Sequence, residues 1–193
     1  MCGRFSFSPL AKILEDRFDV KVDTSKYKPR YNSAPSQKLA VISNDNPDEL
    51  SFYRWGLIPF WAKEPNPLIN ARSETVTEKP SFRHAFRKRR CLIPASGFYE
   101  WAKEDGQKQP YFIHLKNESP MAFAGLWEEW TSTKGETRRT CVILTIAANS
   151  LMQEIHHRMP VILTPSSGAM WLDHSGGRNS PEKLLLPFSA DKM

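Results

Sequence analysis

From Cys91 to Leu163 the chain is a succession of short β-branched and aromatic runs broken by glycine and proline. That pattern limits the fold more than any other feature, because such residues fit a pleated, half-buried surface and lose side-chain freedom in a helix. Tyr111 to Leu115, Met121 to Trp127, Thr140 to Ala147 and Val161 to Leu163 read as strands. Lys103-Glu-Asp-Gly106 and Thr133-Lys-Gly135 supply hairpin-like connections between them. Cys91 to Trp101 is mostly apolar and is expected to enter the core as one strand. Upstream, Leu39 to Ile42 and Leu50 to Leu57 form a further pair joined by the turn-rich Asn44-Asp-Asn-Pro-Asp48.

Helices are expected to be few. Ser8-Pro9 before Leu10, Ile13, Leu14 and Phe18 predicts an amphipathic helix with Ser8 as its N-cap. A second follows Ser81, with Phe82, Ala85 and Phe86 on one face. Short ones are expected over Asn149 to Ile155 and Ala169 to Leu172, before Gly176-Gly177 and a less ordered end. The prolines in Tyr27-Lys-Pro-Arg-Tyr-Asn-Ser-Ala-Pro35 forbid a regular helix there. Its Arg30, Tyr31 and Asn32 either present donors to a ligand or sit on a surface connector. At 193 residues, one domain with a substantial core is expected.

No apolar run approaches a membrane span, and the basic start lacks the apolar stretch of a signal peptide. Three cysteines without C-x-x-C spacing argue against a disulfide framework or zinc site, and for a reducing compartment such as the cytoplasm. His156 and His157, being adjacent, point in different directions and cannot easily share a metal, so neither metal nor cofactor is expected. The net charge of +6 suits an anionic partner, nucleic acid first. Arg83, Arg87, Lys88, Arg89 and Arg90 form the densest positive cluster, a phosphate contact or a solvated helix end. Trp55, Phe60 and Trp61 surround Gly56 and Pro59, and could stack on bases or plug a barrel.

Met1-Cys2 adds a chemical possibility. Removal of Met1 is expected before a residue as small as Cys2, and leaves a free amine with pKa about 7.7–8.0 beside a thiol with pKa about 8.5. Such a 1,2-aminothiol condenses with an aldehyde and closes a five-membered thiazolidine. Glu100, between Tyr99 and Trp101, is either a buried carboxyl able to move protons or a solvent-facing residue of an alternating strand.

Six stretches in order carry a resemblance: Met-Cys-Gly-Arg at 1–4, Arg-Tyr-Asn at 30–32, Trp-Gly-Leu-Ile-Pro at 55–59, Asn-Ala-Arg-Ser-Glu-Thr at 70–75, Gly-Phe-Tyr-Glu-Trp at 97–101 and Ile-His-His-Arg-Met-Pro at 155–160. With them the chain resembles the SRAP (SOS response-associated peptidase) family. The resemblance implies an α+β fold, a single domain over 1–193 around a curved, barrel-like, mainly antiparallel sheet, with peripheral helices and a peripheral tail. It implies a monomeric cytoplasmic sensor of abasic sites in single-stranded DNA, acting in DNA repair by lyase-type chemistry through a reversible thiazolidine crosslink. Cys2 would be the nucleophile, Asn70 the group holding the terminus and polarising the sugar, Glu100 the proton shuttle and His156 the assistant of ring opening, with His157 the lesser partner. Arg4, Arg72 and Arg158 would grip phosphates, Asn32 would touch DNA, and Trp61 or its neighbours would block duplex continuation. Two other readings are a cysteine (auto)peptidase using Cys2, His156 and Glu100, and a non-catalytic nucleic-acid module driven by the basic helix.

Overall fold

Strands dominate the computed structural model, which describes residues 2–173 and 180–193. Met1 and the predicted Gly176-Gly177 break lie outside the described residues. In chain order the elements are β1 (Arg4–Phe7), α1 (Ala11–Phe18), β2 (Arg30–Ser33), β3 (Lys38–Ser43), β4 (Asn46–Trp55), β5 (Asn70–Arg72), α2 (Arg83–Lys88), β6 (Arg90–Ala95), β7 (Gly97–Glu104), β8 (Gln107–Ile113), β9 (Met121–Thr131), β10 (Thr137–Ala147), α3 (Ser150–Gln153), β11 (Arg158–Pro160), β12 (Ile162–Leu163) and α4 (Pro165–Leu172). Five strands close a ring in the order β10-β4-β3-β6-β9, with β9 pairing back to β10. β5, β11 and β12 attach to its rim, and a separate four-stranded antiparallel sheet runs β2-β1-β7-β8. This is the α+β, barrel-centred, mainly antiparallel architecture expected; the parallel pairings within the ring and at its rim are β10 with β4 and with β5.

Closure explains the apolar runs. A closed ring leaves no edge of its own, and one face of every strand is turned inward. Ile93, Phe123 and Ile143 share one face of their paired strands and are buried with Trp55, and Phe5 of the smaller sheet packs edge-on to both Trp55 and Phe123. Gly125 lies between Cys91 Sγ and the Ile93 side chain, where a Cβ would stand 2.9 Å from each.

Several expectations need correction. Ser8 does not cap α1. Its amide donates to Ser96 Oγ at 3.0 Å, so it ties the end of β1 to the β6–β7 link, and the helix starts at Ala11 without a side-chain cap. Cys91 to Trp101 is two strands, broken at Ser96, because β6 belongs to the barrel and β7 to the smaller sheet. Residues 30–33 are not a loop but an edge strand on β1. The turn at 44–48 shrinks to Asn44-Asp45, since Ser43 already pairs with Asn46. The tail is more ordered than expected: Leu185 is buried, Phe188 and Met193 pack on the core, and Asn149 donates to the Phe188 carbonyl at 2.7 Å. The turn at Asp105-Gly106, with φ of 47° and 80°, has the left-handed backbone a two-residue hairpin requires.

Candidate functional site: the chain start against the barrel rim

Alternation along β7 decides which way Glu100 faces. Gly97, Phe98, Glu100 and Ala102 are buried while Trp101 and Lys103 are exposed, and Phe98 packs on Phe123 of the barrel. Glu100 is therefore on the core side and 3% exposed. The solvent-facing alternative left open by the sequence is excluded. Gly97 allows this placement, since a Cβ there would stand 2.5 Å from the Ile113 carbonyl oxygen and 2.6 Å from the Phe112 ring. Gly97→Ala is expected to push β7 off β8 and destabilise the domain by about 1–3 kcal/mol. Denaturant unfolding measures this; an unchanged midpoint would mean the two strands adjust freely.

Antiparallel register with Arg4 opposite Tyr99 carries the residues before Arg4 alongside Glu100 and Trp101. Cys2 is fully buried, and its carbonyl accepts a 3.1 Å hydrogen bond from Asn70 Nδ2. Asn70 comes from the opposite side, the first residue of β5, paired in parallel with Ile143 of β10. Its Oδ1 is buried with no hydrogen-bond partner among the described residues. Burial pushes the Cys2 thiol well above the ordinary thiol range, and the nearby Glu100 carboxylate pushes it further. His156, ahead of β11, is held below the ordinary histidine value by burial, while Glu100 pulls it upward. Glu100 thus acts electrostatically on both Cys2 and His156. Cys2, Asn70, Glu100 and His156 come together from four separate parts of the chain.

The surrounding cations divide. Arg4 is exposed and donates to Asn32 Oδ1 at 3.0 Å, so the two polar candidates of the small sheet form one pair. Arg72, two residues beyond Asn70 on β5, is exposed. Arg158 is not the open phosphate contact suggested by the sequence. It is 9% exposed, its guanidinium is bound by both carboxylate oxygens of Glu74, and it donates to the Thr145 carbonyl. A phosphate reaching Arg158 would have to share it with Glu74. The basic helix is also partly committed: Arg89 pairs with buried Glu128, and Arg90 is buried against the carbonyls of Phe86, Arg87 and Trp171. Arg83, Arg87 and Lys88 remain exposed. Trp61 is 54% exposed on the segment linking β4 to β5, whose Ala62 carbonyl is held by Trp130 Nε1.

Glu74, the partner that Arg158 finds in the fold, lies inside the Asn-Ala-Arg-Ser-Glu-Thr stretch. Nothing in the sequence pairs it with a residue so distant. Hydrogen bonding from Arg158 holds its carboxyl below the ordinary carboxylate range. The resulting stabilisation is full above the ordinary glutamate pKa of about 4.3 and is lost as pH falls through the lower folded-state value. Glu74 is about half exposed and so partly screened, whereas Arg158 is buried. Glu74→Gln is expected to cost about 1–2 kcal/mol near neutral pH. In denaturant titrations the gap to the wild-type chain should shrink below about pH 4; a gap independent of pH would show that the ion pair contributes nothing.

Among the described residues no helix is long and apolar enough to cross a membrane, and no group of His, Cys, Asp and Glu is placed to hold a metal.

Known proteins resemble this chain over its whole length. The chain is 44% identical over 203 residues to the Bacillus subtilis protein named abasic site processing protein YoaM, covering 100% of this chain and 88% of that one. It is 34% identical over 179 residues to abasic site processing protein YedK of Escherichia coli, covering 89% and 79% of the two chains. A crystal structure of a Bacteroides thetaiotaomicron protein superposes with a TM-score of 0.90 at 33% identity, covering 99% of this chain and 89% of that one. The family model described as SOS response associated peptidase (SRAP) matches residues 1–193. The fold agrees with that match, and the protein belongs to the SRAP family.

Proposed function

We propose that the protein processes abasic sites in single-stranded DNA by trapping the ring-opened sugar on Cys2 after loss of Met1. The observation that carries this reading is the burial of Cys2 beside Glu100, with its carbonyl held by Asn70. Relatives named for abasic-site processing support the substrate class.

The order of events follows from the charge states. A thiol held above its ordinary range by burial stays protonated near neutral pH, whereas a free α-amine, with pKa about 7.7–8.0, keeps a reactive neutral fraction of about 10–20% at pH 7. The amine therefore attacks the aldehyde first, and the carbinolamine loses water to give an imine. The sulfur then adds to the imine carbon. The thiol proton passes to the imine nitrogen, with Glu100 as carrier, and the thiazolidine ring closes. The net change is aldehyde plus aminothiol to thiazolidine plus one water. The second bond is intramolecular, so little entropy remains to be lost in forming it. His156 assists at the sugar oxygens, promoting opening of the closed hemiacetal and, in reverse, release of the lesion. Exposed Arg4 and Arg72 contribute phosphate affinity without reading sequence. Selectivity comes from the aldehyde, which an intact nucleotide does not offer.

A cysteine peptidase would need a ready thiolate and no α-amine at all. Blocking the amine while sparing the thiol therefore separates the two readings. Intact mass of the purified protein, alone and after incubation with a single-stranded oligonucleotide carrying one abasic site, tests the proposal. The expected product has the mass of the Met1-free chain plus DNA minus one water; no mass increase under any condition would refute it.

A further inference from the structure

His157 is left unused by this chemistry, yet its ring lies flat against that of His156, with centroids 4.4 Å apart and planes 22° from parallel. The edge of the His156 ring is constrained too. The backbone N–H of Arg158 donates to His156 Nδ1 at 2.9 Å, and the Arg158 carbonyl oxygen lies 3.2 Å from the same nitrogen. The two contacts exclude each other: an amide can only donate, so the shorter one makes Nδ1 an acceptor and puts the proton of a neutral ring on Nε2, whereas the longer carbonyl contact would require Nδ1–H.

We infer that resting His156 is the Nε2–H tautomer, held with the Arg158 amide at its edge and the His157 ring at its face, and that His157 is a positioning residue. The backbone beneath both rings is fixed independently of their side chains. His156 N–H donates to the Met152 carbonyl at 2.7 Å, the His157 carbonyl accepts from Ala148 N–H at 3.1 Å, and Arg158 pairs with Ala147 on β10. The ring torsion is what remains to be set. An imidazole rotor is broad and roughly two-fold, and a flat neighbour restricts it further than the contact at Nδ1 alone. A consequence is a division of labour between the two titratable groups. Neutral His156 offers the site a donor at Nε2, which suits it to a sugar oxygen, and the accepting role falls to the Glu100 carboxylate.

For its part in the reaction this inference rests on the crosslinking proposal, but its spectroscopic test does not. The full chain carrying ¹⁵N-histidine is examined by two-bond ¹H–¹⁵N correlation near pH 8, above the ordinary histidine pKa of about 6.5, with His156→Gln assigning the signals. The wild-type chain should show His156 protonated at Nε2. His157→Ala, a change at an exposed side chain, should give a mixture of tautomers and slow crosslinking to abasic single-stranded DNA about 3–10-fold. His157→Phe keeps a flat ring without a titrating group, and should restore both tautomer and rate to within about twofold. An Nδ1–H pattern in the wild-type chain overturns the assignment. An unchanged rate in His157→Ala overturns the positioning role, whatever its tautomer. Absence of any crosslinking in the wild-type chain refutes the proposed function alone, and the spectra still decide the tautomer and its dependence on residue 157.

Discussion

Cys2→Ala should give no DNA adduct that survives SDS, under conditions where the unaltered protein converts most of an abasic single-stranded oligonucleotide. Alanine keeps the α-amine and can still form an imine, but an imine is reversible and hydrolyses when the protein is denatured. Only sulfur closes the ring. The loss is expected to exceed about 100-fold in yield, the scale set by removing a nucleophile from a covalent mechanism. Retaining Met1, or adding an N-terminal tag, should have an equally large effect for the complementary reason. The Cys2 nitrogen is then an amide, whose lone pair is delocalised and no longer nucleophilic. Together the two changes separate sulfur from nitrogen on one residue. An undiminished adduct from the tagged chain would show that the amine is not used, and would return the reading to a thiol-only mechanism.

Glu100→Gln should slow crosslinking about 10²–10³-fold while leaving non-covalent binding of intact single-stranded DNA unchanged. The substitution preserves shape at a buried position, so folding is expected to survive it, and a thermal melt checks this. What it removes is the ability to accept the thiol proton and return it to nitrogen. Glu100 also raises both Cys2 and His156 toward their protonated forms, so neutralising it disturbs two partners at once. Equal single-turnover rates for the variant and the parent chain would remove Glu100 from the mechanism. A parallel loss of DNA binding would recast it as a structural residue.

Not all of the site was equally legible in the chain. Cys2 was readable because its chemistry depends on its being second in the sequence. Asn70, Glu100 and His156 were identifiable only through the resemblance of the stretches around them. Their own patterns are ambiguous: Glu100 lies in a strand whose alternation permits either face, and His156 has an equally plausible neighbour. The phosphate assignment of Arg158 failed in its simple form because an arginine in sequence carries no sign of its partner. Glu74 meets it across 84 residues of chain. The predicted Ser8 cap failed for a related reason, since a serine hydroxyl bonds whatever is nearest, and Ser96 is nearer than the helix.

Residue order alone determined that the chain is strand-rich, which segments are apolar, that few helices form, and that an aminothiol becomes available once Met1 is removed. These are properties of single residues and of spacings along one segment. Only the tertiary structure decided that β6 and β7 separate into two sheets, that Glu100 faces inward, and that Asn70 reaches the Cys2 carbonyl. Each of those outcomes depends on which strands become neighbours when the barrel closes. Strand pairing and burial are set by the packing of the whole domain, so no local stretch encodes them.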